Sequence, residues 1–510
     1  MRFSKIIPYA KIERLFLIRS ITEIYRQAYD IEREKLRKRG RQGRRPKTYR
    51  IVLRMIKFLR ETAFPSSFLR AKVRKSNQLP QWMIREFMFF AEKERALFPS
   101  AEFLQQFRIS NYPQEPLAGN AYARAITSLK RTNYDAIVLA PRLKQGGADK
   151  GVIQFCKAYA DQANVLLITT MDEPSPWLSM APPAIEILEL GPLLRDLSTS
   201  DEQLVLGRLL LQLSPKLIHI IQSQLAWKGV LDHALSLRTV GCKLIGSLFS
   251  EEIGRDDRPH GFAIEYAPHA VQFFDALLTD SEPYRARLAS RFNGHDSLFK
   301  TIHFAHDLDS APSRKTSEKR GGRVLWASRL SREKRLDLLH AIASQRPNLS
   351  FDVFGAADKH PSAKSWAAKL NALPNVTLHG AYQGFENIPE KERYACFLYT
   401  TAYDGLPNVL LEAASERIPI IAPPSIGGLA DIVRPETAWC VEAPDDPASY
   451  IAALDACLKD DPAERCENAF ALVRERHSWN RFRNTVYQTL DKIGVKLGAP
   501  PTSSPSASAT

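Results

Sequence analysis

The chain has 510 residues, 44% of them apolar, with a formal net charge of +15. That length exceeds what one ordinary core needs and fits two compact units with added elements. No apolar run approaches the roughly 18–20 residues that span a bilayer, and Leu15–Ile18 lacks the apolar stretch and cleavage site of a secretory signal, so a cytoplasmic protein is expected.

In chain order, the charge belongs to the first segment. Residues 1–75 hold 23 Lys/Arg against 6 Asp/Glu, about +17, so the remainder is close to neutral. A basic run (Arg37, Lys38, Arg39, Arg41, Arg44, Arg45, Lys47) lies between two stretches of helical spacing. One is Ile12, Leu15, Ile18, Ile21 and Ile24; the other, looser, is Ile51, Leu53, Met55, Ile56, Phe58 and Leu59. A basic amphipathic helix can lie on an anionic membrane surface, here the inner face of the membrane. The alternatives are a solvated basic face or a helix packed on the rest of the chain. Nucleic acid is not expected, because no recognised binding motif accompanies the charge. Residues 76–130 read as further helices and loops punctuated by Pro80, Pro99, Pro113 and Pro116.

From about residue 133 the pattern changes. Ala136–Ala140 is an apolar run fit for a buried strand, followed by a Gly146-Gly147 loop, a helix to about Ala160 and a second strand at Val165–Ile168. This β-loop-α-β unit signals a parallel sheet. Runs at Leu217–Ile221, Leu244–Phe249, Ala276–Thr279 and Lys300–Phe304 continue it. Residues 309–322 read as a linker. The alternation then restarts, with strands at Val324–Ala327, Phe351–Phe354, Val376–Leu378, Cys396–Tyr399 and Pro419–Ala422. Helices are expected at about 333–344, 363–373, 407–417 and 446–458. Two successive doubly wound α/β domains follow, and such folds bind ligands at the carboxyl ends of their strands. The expected division is a basic, mainly helical extension (1–130), a first α/β domain (131–308), the linker, a second α/β domain (323–480), a terminal helix (481–498) and a disordered Pro/Ser/Ala/Thr tail (499–510). The six cysteines show no metal-site spacing and read as reduced thiols.

Four segments carry candidate chemistry. Arg329 and Lys334 flank the end of strand 324–327, where a guanidinium and an ammonium can hold a diphosphate; a solvated charge cluster is the alternative. The segment Asp404-Gly405-Leu406-Pro407-Asn408-Val409-Leu410-Leu411-Glu412 follows strand 396–399. Gly405 permits a tight loop and Pro407 suits a helix start, whose N–H groups form an anion site. Asp404 reads alternatively as a helix cap. Glu412, in an apolar run, risks burial unpaired, which argues for a ligand role such as accepting hydrogen bonds from a ribose diol. Gly427-Gly428 opens a further turn after strand 419–422. Gly146 and Gly147 could approach a phosphate from the first domain through their backbone.

The order Arg329…Glu333-Lys334, then Asp404 through Ala413, then Gly427-Gly428 resembles the donor domain of the family 4 retaining glycosyltransferases, of the GT-B fold. The match is good over about 321–435 and holds in outline over 133–490. Trp479 resembles the start of the family's late helix, which crosses back to the first domain. The resemblance implies that Arg329 and Lys334 hold the donor diphosphate and that Glu412 binds the ribose. It implies that Asp404 faces the transferred sugar, and that Gly405, Leu406, Pro407 and Asn408, with Gly146 and Gly147, meet the donor. It implies a nucleotide sugar as substrate, no required cofactor and no metal, and cationic groups and helix termini that stabilise the leaving diphosphate. The acceptor would be a glycan or lipid-linked, in cell-surface polysaccharide or lipopolysaccharide assembly.

Three departures stand out: Asp404 replaces the usual Glu, Ser328 the usual Gly, and strand 243–249 carries no His where many members have one. Ser247 and Glu251 lie nearest that place; His303 and His306 read as structural or surface residues. The competing functions are an inactive nucleotide-sugar or glycan-binding partner and another two-domain sugar-phosphate enzyme, such as a phosphorylase or epimerase.

Overall fold

The computed structural model describes residues 81–100, 117–144, 146–253, 258–306, 322–358, 361–382 and 384–497. The basic segment 1–75, the linker up to residue 321 and the tail 499–510 lie outside the described residues. By chain contacts the molecule divides into Met1–Glu115 and Pro116–Thr510. In the first unit, the helix Gln81–Lys93 leads to a turn at Arg95–Leu97, with Phe87 and Phe98 edge to face at 6.4 Å.

The second unit holds two parallel sheets. The first has strands β1 (Ala136–Ala140), β2 (Val165–Thr169), β3 (Glu186–Glu189), β4 (Leu217–Ile221), β5 (Lys243–Ser247), β8 (Ala276–Thr279) and β9 (Phe299–Thr301), in the order β3-β2-β1-β4-β5-β8-β9. A two-stranded antiparallel ribbon of β6 (Glu252–Ile253) and β7 (Pro259–His260) interrupts the chain between β5 and β8. The second sheet has β10 (Arg323–Ala327), β11 (Ser350–Phe354), β12 (Val376–Gly380), β13 (Tyr394–Leu398), β14 (Ile420–Ala422) and β15 (Trp439–Cys440), in the order β12-β11-β10-β13-β14-β15. The expected pair of doubly wound α/β domains is present. Each sheet reverses winding once, between β1 and β4 and between β10 and β13, and a crevice opens at the carboxyl ends there.

The strands form where the sequence is apolar on both faces, because helices cover both faces of a parallel sheet. Every residue of β1, β2, β4 and β13 is buried. Separate apolar layers flank each sheet. The helix Leu117–Ser128 contributes Ala121, Tyr122 and Ala125 to one layer of the first sheet. The last helix, Trp479–Lys492, returns to the first sheet and buries Phe482, Val486 and Leu490 beside Phe155 and Phe304. The cysteines are free thiols, five buried and Cys440 half-buried. Among the described residues no helix is long and apolar enough to cross a membrane.

Sequence reading and structure differ in several places, among them a last strand of the first sheet at Phe299–Thr301 and a terminal helix at Trp479–Lys492. β3 escapes the apolar pattern because it is an edge strand with only Leu188 buried. β15 is two residues long. The helix expected from 333 starts at Leu336, after a single turn at Arg332–Lys334 and a left-handed Arg335 at φ +48°.

Candidate functional site

The loops at the carboxyl ends of β10 and β13 are sewn together. Ala402 N–H donates to the Glu333 carbonyl at 2.7 Å, and the Thr400 hydroxyl donates to the Lys334 carbonyl at 2.7 Å. This stitching buries Lys334, whose side chain is 8% exposed. Its Nζ donates to the Tyr399 hydroxyl at 2.8 Å and to Asp404 Oδ2, and the Tyr399 hydroxyl also donates to Asp404. Burial first, then the neighbouring Asp404 charge, holds the Tyr399 hydroxyl well above its ordinary pKa. Arg329 lies apart from this cluster: it is 77% exposed and pairs with Glu333 at 3.3 Å.

Asp404 does not cap the next helix. Its Oδ1 accepts from Gly405 N–H at 3.0 Å, whereas the helix Asn408–Ser415 begins after Pro407 with no side-chain cap. The helix Gly147–Ala160 of the first domain likewise begins at Gly146 with no side-chain cap. Elsewhere Ser198, Ser223, Asp446 and Ser478 close a helix start, while the starts at Ser281, Arg335 and Pro462 also lack a side-chain cap. The two open helix starts face each other. A Cβ placed on Gly147 would lie 3.0 Å from Asn408 Nδ2, and one turn further on Lys150 reaches Glu412 at 3.4 Å. Each helix start offers N–H groups without an internal partner, together with the positive end of its dipole. The pair is therefore an arrangement, built from both domains, whose dipoles and N–H groups favour negative charge.

Glu412 is largely buried, its side chain 13% exposed. Burial raises its carboxyl above the usual range, and the Lys150 charge opposes that rise. Tyr382 lies close enough to feel the Glu412 charge, after burial, which raises its hydroxyl first.

Gly427 and Gly428 are held to glycine by close packing. Gly427 has φ +53°, and a Cβ there would fall 1.7 Å from the Asp404 carbonyl oxygen. A Cβ on Gly428 would meet Ser281 Oγ at 2.5 Å. The glycine pair lets this turn pack against the Asp404 loop and the rim of the first domain.

A cavity opens at each winding reversal. In the second sheet one of about 490 Å³ is lined by Glu333, Arg335, Asp337, Trp366 and Tyr403. In the first sheet one of about 250 Å³ is lined by Arg142, Lys144, Asp149 and Gln222. Arg142 and Lys144 share Glu173 at 3.0 and 2.6 Å. Burial raises the Asp149 carboxyl, while Lys144 N–H donates to it at 3.2 Å.

The residues nearest the strand that lacks a His have partners of their own. Ser247, fully buried, bonds His219 Nε2 at 2.8 Å, and His219 Nδ1 meets the Tyr159 hydroxyl at 3.0 Å. Glu251 pairs with Arg291 at 2.6 Å. His303 contacts Asp431 at 3.2 Å, and the His306 N–H donates to the His477 carbonyl at 2.7 Å. The sequence did not single out Tyr399 or Asp280. Both follow an apolar strand directly, and a polar residue at the carboxyl end of a parallel strand is the signal that could have found them.

Residues 310–471 match the family described as Glycosyl transferases group 1. The lipopolysaccharide 1,6-galactosyltransferase of Escherichia coli K12 is 24% identical over 203 residues, which are 39% of this chain and 56% of that protein. The chain thus spans about half the length of this curated relative. The structure of HepE from Anabaena with UDP-glucose has a TM-score of 0.56 at 17% identity, covering 70% of this chain and 100% of that one. Sucrose-phosphate synthase from Thermosynechococcus elongatus has a TM-score of 0.57 at 17% identity, covering 71% and 99%. The family match is thus confined to residues 310–471, and the two Rossmann-like domains have the GT-B architecture of these solved structures.

Proposed function

We propose that the chain is a retaining, family 4 type hexosyltransferase that moves a sugar from a nucleotide-sugar donor to a glycan or lipid-linked acceptor, in cell-surface polysaccharide or lipopolysaccharide assembly. The observation that carries this reading is the pair of uncapped helix starts, at Gly147 and Asn408, meeting across the cleft beside Lys334. A donor diphosphate needs fixed N–H groups and cations where its charge develops on departure, and these elements supply both. Lys334 would hold the leaving diphosphate, with Arg329 swinging in from solvent. Glu412 would accept the ribose hydroxyls once Lys150 turns to the phosphates. Asp404, fixed by Lys334 and Tyr399, would face the transferred sugar, with Gly405, Leu406, Pro407, Asn408, Gly146 and Gly147 lining the donor. No cofactor or metal enters this scheme. UDP-glucose is the first donor to try, because it occupies the structurally similar HepE. We assign the acceptor to the first domain, and an anionic inner membrane face to residues 1–75, with the enzyme cytoplasmic and peripheral.

The test is a thermal-shift panel of UDP, GDP, ADP, dTDP and CDP, followed by nucleoside diphosphate release from the matching donor. A nucleotide at about 100 times its Kd adds roughly 2.7 kcal/mol of stability. Stabilisation by one nucleotide, donor turnover and an α-linked product from an α-donor support the reading. Binding without turnover on any glycan acceptor would make the chain a nucleotide-sugar-binding partner instead, and an inverted product would remove the retaining assignment.

A further inference from the structure

Across the cleft from Asp404, the rim of the first domain presses directly on the loop that carries it. A Cβ on Gly405 would lie 2.8 Å from the Phe249 carbonyl oxygen and 3.2 Å from Asp280 Oδ2. Gly428 N–H donates to the Gly405 carbonyl at 3.2 Å. Glu282 N–H donates to Asp431 Oδ2 at 2.7 Å. Asp280, which follows β8, is only 6% exposed. Its carboxyl lies against the Gly405–Leu406 backbone, and its Oδ1 has no hydrogen-bond partner. A carboxyl of one domain is thus pressed on the backbone of the other, at the loop whose first residue the proposed function sets against the sugar. Burying a carboxyl with one oxygen unpaired is costly, and a merely structural contact at this spot would be met more cheaply by Asn or Ser.

We propose that Asp280 is a positioning residue: it holds the Asp404–Leu406 loop in register against the first domain and so sets where Asp404 stands relative to the donor sugar. The mechanism rests on the transferase reading above. Asp280 does not touch the reacting atoms in this scheme; it acts through Leu406 and Asp404.

The surroundings make this contact sensitive to protonation. Asp280 faces Asp404, which is tied to Lys334 and Tyr399. It also faces Asp431, which is tied to His303 and, at 3.6 Å, to Arg476. On its own domain Tyr284 and Glu282 lie nearby. Burial foremost, with the Asp404 and Asp431 charges adding, pushes the Asp280 carboxyl up to about 8, against the opposing influence of the Leu406 N–H. Below that pH the group is a neutral acid that sits against the Gly405–Leu406 backbone and tolerates its acidic neighbours. Above it, three carboxylates converge between the domains, and the loop is driven off the first domain.

The experiment compares the full-length wild type with Asp280→Ala and Asp280→Asn in two readouts. One is amide hydrogen exchange of the peptide containing Leu406, followed from pH 6 to 9.5. The other is UDP release from UDP-glucose over the same range. Asp280→Ala is expected to speed Leu406 exchange at least tenfold and to lower kcat about tenfold with the donor KM changed less. Asp280→Asn keeps a carbonyl acceptor and is expected to restore both at pH 7, while abolishing the activity loss that the wild type shows as pH rises through about 8. Wild-type exchange in Asp280→Ala, or an unchanged alkaline limb in Asp280→Asn, overturns the proposal. If Asp280→Ala fails to fold, the Asn variant alone decides through its pH profile. Should no variant, nor the wild type, turn over UDP-glucose or the donor matching any nucleotide of the panel while Leu406 exchange still depends on Asp280 and on pH, the positioning contact stands and the transferase reading fails.

Discussion

Lys334 carries two jobs whose consequences separate experimentally. In the resting cleft its buried ammonium neutralises the half-buried Asp404. In the proposed reaction it must also meet the departing diphosphate, so a stronger anion exchanges for a weaker one. Lys334→Ala removes a preorganised cation, and the expected loss in kcat is about 10²–10³-fold. Because Asp404 would lose its cation, a lowered Tm should accompany it, with the Tyr399 hydroxyl and the Gly405 N–H remaining on the carboxylate. Measuring kcat, donor KM and Tm on the same preparation checks this, and unchanged kcat would remove Lys334 from the site. Glu412→Gln tests binding instead of chemistry. The amide keeps the shape but gives up charge-assisted acceptance of the ribose hydroxyls, a contribution of about 1.5–3 kcal/mol. Nucleoside diphosphate Kd should rise roughly 10- to 100-fold by calorimetry, with the fold intact.

At the level of elements, the helix Trp479–Lys492 joins the two domains from behind. It follows the helix Ala463–Arg476, which packs on the second sheet through Ala469 and Val473, yet it buries its own apolar face in the first. Phe482 lies 5.2 Å from Phe155 and 6.5 Å from Phe304. Phe482→Ala should cost about 3–5 kcal/mol, visible as a large fall in the denaturation midpoint, and should loosen the cleft without touching it. The same elements show what the sequence makes legible. β1, β2, β4 and β13 are apolar on both faces, so composition alone marks them. β3 alternates as an edge and carries no such mark. The Asp404-to-Glu412 segment is legible because loop, helix start and both carboxylates follow one another along the chain. The Lys334–Tyr399–Asp404 cluster and the Asp280–Leu406 contact are not. Their members come from different strands or different domains, and only the closing of the parallel sheets brings them together. Arg335 is a harder case, since nothing local announces that a non-glycine residue will take a left-handed conformation there.

For the molecule as a whole, three buried groups shape stability against pH in opposite directions. Burial lowers His219 to about 3; burial, with His303 adding, lowers His477 to about 3 as well. Each histidine stays neutral in the folded chain but takes up a proton near pH 6.5 when unfolded. Each therefore contributes stability that is present above pH 6.5 and is lost as pH falls toward 3, at about 1.4 kcal/mol per pH unit. Asp280, raised to about 8, works the other way. Folded, it keeps its proton up to about pH 8; unfolded, it releases it near 3.9. Its contribution is thus lost steadily as pH rises from about 4 to 8 and is constant above that. Between pH 4 and 6 the two histidines outweigh the single carboxyl, so stability climbs with pH. Glu412 and Asp149, also raised by burial, pull with Asp280 and blunt that climb. Above pH 6.5 the histidines no longer contribute to the slope, and Asp280 makes stability fall until about pH 8. The expected curve of unfolding free energy peaks near pH 6.5. In Asp280→Asn the alkaline decline should disappear and the acid limb steepen, so that the difference between variant and wild type grows by about 1.4 kcal/mol per pH unit from about 4 to 8 and then stops. Urea denaturation of both proteins at half-unit steps measures that difference directly. A difference that did not vary with pH would mean that Asp280 is already ionised when the two domains are closed on it.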